Sequence, residues 1–109
     1  MATLTTQSAK VTGTAVTMSA ASAGGDKVDA GQHTALLVTN GSGGSINVTV
    51  AVPGNTKYGV AEPDLVVAVA AGATKLIGPL PVDLEDDTDR LVHVSYSAAT
   101  SVTVAAIEI

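Results

Sequence analysis

The stretch Thr34–Val52 reads TALLVTN, GSGGS, INVTVAV, and it decides the fold class. Apolar residues fall at every second position from 46 to 52, with polar or small residues between them. A strict period of two is typical of a β-strand that buries one face. The link Gly41–Ser45 is rich in glycine, which supplies the positive φ angles that hairpin loops need. The stretch therefore predicts one β-hairpin, with inward positions at Leu36, Val38, Ile46, Val48, Val50 and Val52.

Short apolar or alternating segments recur along the rest of the chain, and turn residues separate them. No segment keeps a helical i, i+3, i+4 pattern for long. This pattern predicts an all-β fold: an antiparallel β-sandwich of about eight short strands, with a jelly-roll or an Ig-like Greek-key topology. The run Leu65–Ala70 predicts a buried strand, and the connection 55–64 predicts a crossing between sheets. The other predicted strands cover residues 14–20, 26–29, 74–78, 91–97 and 102–109.

The composition predicts a thin core. The chain has 109 residues, with 18 Ala, 16 Val and 14 Thr, no Phe or Trp and two Tyr. Large side chains contribute about 1.5–3 kcal/mol each when they are buried, and this chain has few of them. Mean hydropathy is nevertheless +0.40. Apolar surface is then expected to remain outside one small domain, which predicts self-association.

Charge and cysteine content argue against several classes of partner. The net charge of −5 would repel a nucleic-acid backbone. The absence of cysteine excludes a disulfide, a thiolate nucleophile and a cysteine-based zinc site. The start MATLTTQSAK lacks the features of a signal peptide, and the longest apolar run, residues 65–71, is too short for a membrane span.

The N-terminal residues differ in composition from the rest of the chain. Residues 1–13 are polar and rich in threonine, whereas residues 14–109 carry the strand patterns. We expect residues 1–13 to form a flexible arm, since they bring too little apolar surface to offset the entropy of ordering. Such an arm can bind a partner by adding hydrogen bonds to a sheet edge. The expected partner-binding residues are Leu4, Thr5, Thr6 and Val11.

Three groups of residues contain side chains that occur in catalytic or metal sites, but none of them predicts a catalytic, cofactor-binding or metal-binding residue. The acidic run 83–89 has no internal glycine and no calcium-loop order, so a solvated loop is favoured over a cation site. Ser42 lies in NGSGG, on a hairpin link and not on a nucleophile elbow. His33 and His93 are not accompanied by a nucleophile motif. The sequence predicts a protein that is not an enzyme and binds no small-molecule substrate.

Three strings resemble small virion proteins of tailed bacteriophages. They are LLVTNGSGGSINVTVAVPG, AVAAGATKLIGPLP and VHVSYSAATSVTVAAIEI, within residues 33–109. The resemblance implies a head decoration or minor capsid protein. Such a protein is a structural β-sandwich that binds the major capsid protein on the capsid exterior, commonly as a homotrimer, and stabilises the head. It would be made in the cytoplasm of the host bacterium. The alternative is a non-enzymatic adhesive or receptor-binding module of a phage head or tail fibre.

Overall fold

The computed structural model describes residues 2–109, and these residues form ten strands and one 3-10 turn. None of them lies in a helix long and apolar enough to cross a membrane. The 3-10 turn, Val82–Leu84, lies between β8 and β9. The strands are β1 (Ala2–Thr3), β2 (Thr6–Ser8), β3 (Ser19–Ala20), β4 (Asp26–Val28), β5 (Thr34–Asn40), β6 (Ile46–Val50), β7 (Leu65–Val69), β8 (Thr74–Ile77), β9 (Val92–Tyr96) and β10 (Val102–Glu108).

The strands form two sheets. Sheet I has the order β1-β4-β9-β6-β7, and sheet II has the order β2-β10-β5-β8, with β3 also paired to β10. Both sheets are mixed, because β1 runs parallel to β4 and β2 runs parallel to β10. All other pairs are antiparallel. The all-β prediction is confirmed, while a purely antiparallel arrangement is wrong at these two N-terminal strands.

Four antiparallel pairs are nested around the connection between β6 and β7. From the inside outward they are β6–β7, β5–β8, β4–β9 and β3–β10. The two halves of the chain therefore pair with each other in antiparallel orientation along their length. In addition, β9 pairs with β6 and β10 pairs with β5, which arranges the strands in two sheets.

The predicted hairpin is wrong, because β5 and β6 lie in different sheets. The link Gly41–Ser45 crosses between the sheets, and the buried side chain of Asn40 holds it in place. The Asn40 amide nitrogen donates to the carbonyls of Gly44 (2.8 Å) and Val69 (2.9 Å). Its Oδ1 accepts from the Ser42 amide at 3.0 Å. A glycine-rich link of five residues is long enough both for a hairpin and for a crossing between sheets. The alternation in the flanking strands could therefore not distinguish the two.

The core consists of aliphatic side chains from both sheets. The predicted alternation is confirmed in β5 and β6, whose inward residues from Leu36 to Val50 are at most 3% exposed. Val52 is only half-buried, because β6 ends before it. The buried cluster comprises Leu4, Val28, Leu36, Val38, Ile46, Val48, Val50, Val69, Leu80, Leu84, Val92, Val94, Val102, Val104 and Ala106.

Strand β7 departs from the buried strand that its apolar run predicted. It forms the edge of sheet I, with Leu65 53% and Val66 60% exposed, and of its residues only Val69 is buried. The connection before it returns to the same sheet, so the crossing predicted at 55–64 is also wrong. A continuous apolar run indicates a strand but not its place in the sheet.

The N-terminal segment differs from the expected flexible arm over residues 2–9. Strand β1 joins sheet I, β2 joins sheet II, and Leu4 between them lies in the core at 9% exposure. The Leu4 amide donates to the Lys27 carbonyl at 2.9 Å, and the Ala9 amide donates to the Glu108 carbonyl at 2.8 Å. Parallel pairing of β1 with β4 and of β2 with β10 thus supplies hydrogen bonds that the polar sequence does not predict. Residues 9–18 contain no strand.

Candidate docking surface

The outer faces of the two sheets differ in polarity. In β5 and β10 the even-numbered residues are inward, so the odd-numbered residues face away from the core. On sheet II these outward residues carry no charge. Leu37 lies between Ala105 of β10 and Leu76 of β8, and Ala35 lies beside Ile107. Thr39 and Thr103 also face outward, and the Thr39 hydroxyl contacts that of Thr74 on β8, so the outer face of sheet II mixes aliphatic and hydroxyl side chains but carries no charge. An antiparallel sheet ordinarily alternates apolar-in and polar-out, so exposed aliphatic side chains on this outer face are unusual.

We call this surface the apolar face: Ala35, Leu37, Leu76, Ile107 and Ile109. Leu76 is 54% and Ile109 is 82% exposed. A shallow depression of about 320 Å³ lies at one end of the face, lined by Ala35, Leu76, Pro79 and Ile109 among others. Exposed aliphatic side chains that share a face, without a charge among them, are typical of a surface that contacts another molecule.

The outer face of sheet I is polar on its central strands. Asn47 and Thr49 project from β6, and Ser95 and His93 project from β9. Lys27 of β4 lies opposite His93 in the sheet register. The two broad sides of the molecule therefore differ, because the central strands of sheet I present polar and charged residues and the outer face of sheet II carries no charge. Exposed aliphatic residues on sheet I lie at its edge strand, β7.

A charged cluster ties the loop before β9 to sheet I. Asp89 Oδ2 lies 2.8 Å from Lys27 Nζ and 2.8 Å from His93 Nε2. The Lys27 ammonium is the main cause that holds the pKa of Asp89 well below its usual range, partial burial opposes it, and the His93 contact adds to it. The hydroxyl and amide of Thr88, which donate to Asp86, lower the pKa of that carboxyl as well.

This cluster contains ligand types that a divalent cation uses. One ligand atom each of Asp86, Asp89 and His93 lies within 4.8 Å of the others. Two carboxylates and an imidazole suit a transition metal. Both oxygens of Asp89 already have partners, however: Oδ2 contacts Lys27 Nζ and His93 Nε2, and Oδ1 accepts from the Leu91 amide at 3.0 Å. A metal would have to compete with these contacts, so the arrangement favours a salt-bridged cluster.

The first residue of β4 is a buried carboxylate that the sequence patterns did not predict. Asp26 has no exposed surface and accepts hydrogen bonds from the Tyr96 hydroxyl at 2.7 Å and the Ser22 hydroxyl at 2.8 Å. Burial, followed by the bond to Asp26, raises the pKa of Tyr96 well above its usual range. Asp26 and Tyr96 are 70 residues apart, so no local pattern could have revealed the pair.

The four predicted partner-binding residues do not form one patch. Leu4 lies in the core, and the Thr6 hydroxyl donates to Asp29 at 2.8 Å. Thr5 is exposed, and Val11 is fully exposed in a turn. Leu4 is therefore not accessible to a partner in this structure, whereas Thr5 and Val11 are.

Ser42, His93 and His33, the candidate residues for nucleophilic catalysis, each make contacts that stabilise the fold. The Ser42 hydroxyl donates to Asn40 Oδ1 at 2.6 Å and contacts the Gly44 carbonyl at 2.9 Å, which stabilises the link between β5 and β6. His93 belongs to the charged cluster described above. His33 is exposed, and its carbonyl accepts from the Ile109 amide at 3.0 Å.

Comparisons with models of protein families, with curated proteins and with solved structures find no match to this chain. The surface chemistry and the strand order are therefore the features of this chain that bear on its function.

Proposed function

We propose that this protein is a structural, non-enzymatic capsid decoration protein of a tailed bacteriophage, which binds the major capsid protein on the exterior of the head through its apolar face. The observation that carries the proposal is the contrast between the two broad sides of the molecule. A surface without charge and with exposed aliphatic side chains on one side, and polar and charged residues on the other, suits a protein that lies on a shell and exposes its opposite side to water.

The strand order supports a virion role by analogy. We propose that the two sheets form a β-sandwich of jelly-roll topology. The four nested antiparallel pairs from β6–β7 to β3–β10, curled into two sheets, favour this topology over the Ig-like one. Jelly rolls are frequent in viral capsid proteins, but also in lectins and cupins, so the topology raises the expectation without deciding it.

Binding to capsids tests the proposal directly. Phage heads that lack the protein are mixed with purified protein and sedimented. The variant Leu37→Lys/Ile107→Lys places two charges on the apolar face and is expected to lose binding at least tenfold. The matched control Thr49→Lys/Ser95→Lys places two charges on adjacent strands of the opposite side. Equal binding by the two variants would contradict docking through the apolar face, and absence of binding by the unmodified protein would contradict the capsid role.

A second candidate function is an adhesive or receptor-binding module. It is favoured by a groove of about 460 Å³ between the N-terminal segment and β3, lined by Thr3, Thr5, Gln7, Thr17 and Ser19 among others. Hydroxyl and amide groups of this kind bind sugar hydroxyls. The aromatic platform that commonly accompanies a sugar site is absent from this lining. The Gln7 amide already bonds the Thr17 backbone, whereas Thr5 is exposed in the groove. Titration with host-cell polysaccharide distinguishes this function, since saturable binding that Thr5→Val abolishes would favour it.

A further inference from the structure

Two strand edges are open on the same side of the molecule. Strand β7 is the last strand of sheet I and β8 is the last strand of sheet II. A turn at residues 70–73 joins the two strands, and Asn40 of sheet II donates to the Val69 carbonyl of β7. Among residues 2–109, no strand pairs with the outer edge of either β7 or β8. This side therefore presents two rows of backbone groups that can pair with another chain.

On the opposite side of the molecule, N-terminal strands are added to both sheets. There the chain adds β1 to the edge of sheet I and β2 to the edge of sheet II, and Leu4 closes the gap between them. Residues 2–8 are thus already placed on that side. Among residues 2–109 no strand covers β7 or β8 in the same way, so these edges are open to a strand of another molecule.

Strand β7 lacks the features that keep an edge monomeric. Natural proteins protect exposed edges with charged residues, proline or bulges. The five residues of β7, LVVAV, include none of these residue types, and all five are paired regularly with β6. Leu65, Val66 and, on β8, Leu76 are each more than half exposed. Lys75 on β8 is the single charge on the two strands, so β8 has one residue of a protective type whereas β7 has none.

We propose that the partner is a second copy of this chain, which pairs its β7 with β7 and its β8 with β8 around a two-fold axis. Two identical strands related by an axis perpendicular to their sheet are antiparallel, which is the orientation that hairpin-type sheets favour. Because both open edges lie on one side, one axis serves both pairs. In the symmetric register, Val67 meets its own copy, and Val66 lies opposite Ala68 of the partner.

The dimensions of the molecule fit such a dimer. The principal extents are 45 × 34 × 19 Å. Even the smallest side of a box with these extents has an area on the order of 600 Å², which is comparable with the roughly 800 Å² that each partner buries in a standard interface. The pairing departs from the homotrimer that the family resemblance implied, because a three-fold ring needs head-to-tail contacts. The proposed two-fold pairing of strands does not depend on the proposed capsid role.

Complementary charge variants of the full chain test the pairing. The variant Val66→Lys/Ala68→Lys brings lysines opposite each other across the axis, and Val66→Glu/Ala68→Glu does the same with carboxylates. Each variant alone is expected to weaken dimerisation at least tenfold in analytical ultracentrifugation. An equimolar mixture of the two is expected to restore the dimer. The matched control, Asn47→Lys/Thr49→Lys, adds the same charges at the same registers of β6, one strand away from the edge.

The control is expected to dimerise like the unmodified protein. A monomeric or trimeric unmodified protein would overturn the proposal. A mixture that stays monomeric, while each variant keeps the circular dichroism of the parent, would also overturn it. In that case the β7 edges do not face each other. Neither result bears on capsid binding, which is measured separately with variants of the apolar face.

Discussion

At the scale of single residues, the aliphatic core accommodates a few polar side chains only because each of them is hydrogen-bonded. Asp26, Thr34 and Asn40 are buried, and no buried side-chain nitrogen or oxygen among residues 2–109 lacks a partner. Thr34 bonds nearby Gly31, but Asn40 and Asp26 also have partners that are distant in sequence, Val69 and Tyr96. Sequence reasoning identified the aliphatic positions around them, because alternation is local, but it had no access to these long-range contacts.

Asn40→Ala is expected to destabilise the fold by about 1–3 kcal/mol, because it removes the buried hydrogen bond to the Val69 carbonyl and the contacts that hold the inter-sheet link. The free energy of unfolding is measured by chemical denaturation. The matched control is Asn47→Ala, since Asn47 is exposed and its side chain makes no hydrogen bond in the described structure. The control is expected to change stability by less than about 0.5 kcal/mol. Similar losses in both variants would argue against a special role for Asn40.

The Tyr96–Asp26 pair predicts a loss of stability at high pH. Burial and Asp26 raise the pKa of Tyr96 in the folded state above its unfolded value of about 10. The folded state therefore holds this proton more tightly, and the corresponding stability is complete below about pH 10 and is lost as the pH rises further. The free energy of unfolding should fall more steeply above that pH in the unmodified protein than in Tyr96→Phe.

The chain supplies a control for this pH dependence. Tyr58, the second tyrosine, is 86% exposed. Tyr58→Phe should therefore follow the unmodified protein at every pH. If Tyr96→Phe lost stability above pH 10 as steeply as Tyr58→Phe does, the buried hydroxyl would not be the group that titrates.

At the scale of elements, strand positions were more predictable than strand partners. The alternation in 46–50 and the turn residues around it located β6 correctly, but the glycine-rich link before it is compatible with a hairpin and with a crossing. The apolar run of β7 indicated a strand and could not reveal that it lies at an edge. The parallel strands β1 and β2 are too short for any periodicity, so the sequence predicted an arm there.

Leu4→Ala tests whether the N-terminal segment belongs to the folded domain. Leu4 is buried between β1 and β2, and truncating a buried leucine costs about 2–5 kcal/mol. We expect a clear decrease in melting temperature. Val11→Ala is the control, because Val11 is fully exposed and should leave the melting temperature unchanged. If both variants melt like the unmodified protein, the segment is the flexible arm that its composition suggested.

At the scale of the whole molecule, two surfaces compete for the role of docking site. The apolar face of sheet II is uncharged, whereas the loop 83–89 carries five of the ten carboxylates of the chain and could meet a basic patch of a shell. Composition alone predicted surplus apolar surface, but it could not show that part of this surface lies on the outer face of sheet II and part at the β7 edge of sheet I. The distribution depends on which face of β5 and β10 the core covers, and only the pairing of the strands establishes that.

Salt dependence distinguishes the two surfaces. Ionic contacts of an exposed acidic loop weaken as the Debye length falls from about 10 Å at 0.1 M to about 3 Å at 1 M salt. Apolar contacts do not weaken in this way, and sulfate strengthens them. If the apolar face docks, the dissociation constant for capsids should stay within about threefold between these salt concentrations and should decrease in sulfate. Sedimentation of the protein with capsids at several salt concentrations measures it. A loss of binding of tenfold or more, abolished by neutralising the loop with Asp83→Asn/Asp87→Asn, would instead assign docking to the acidic loop.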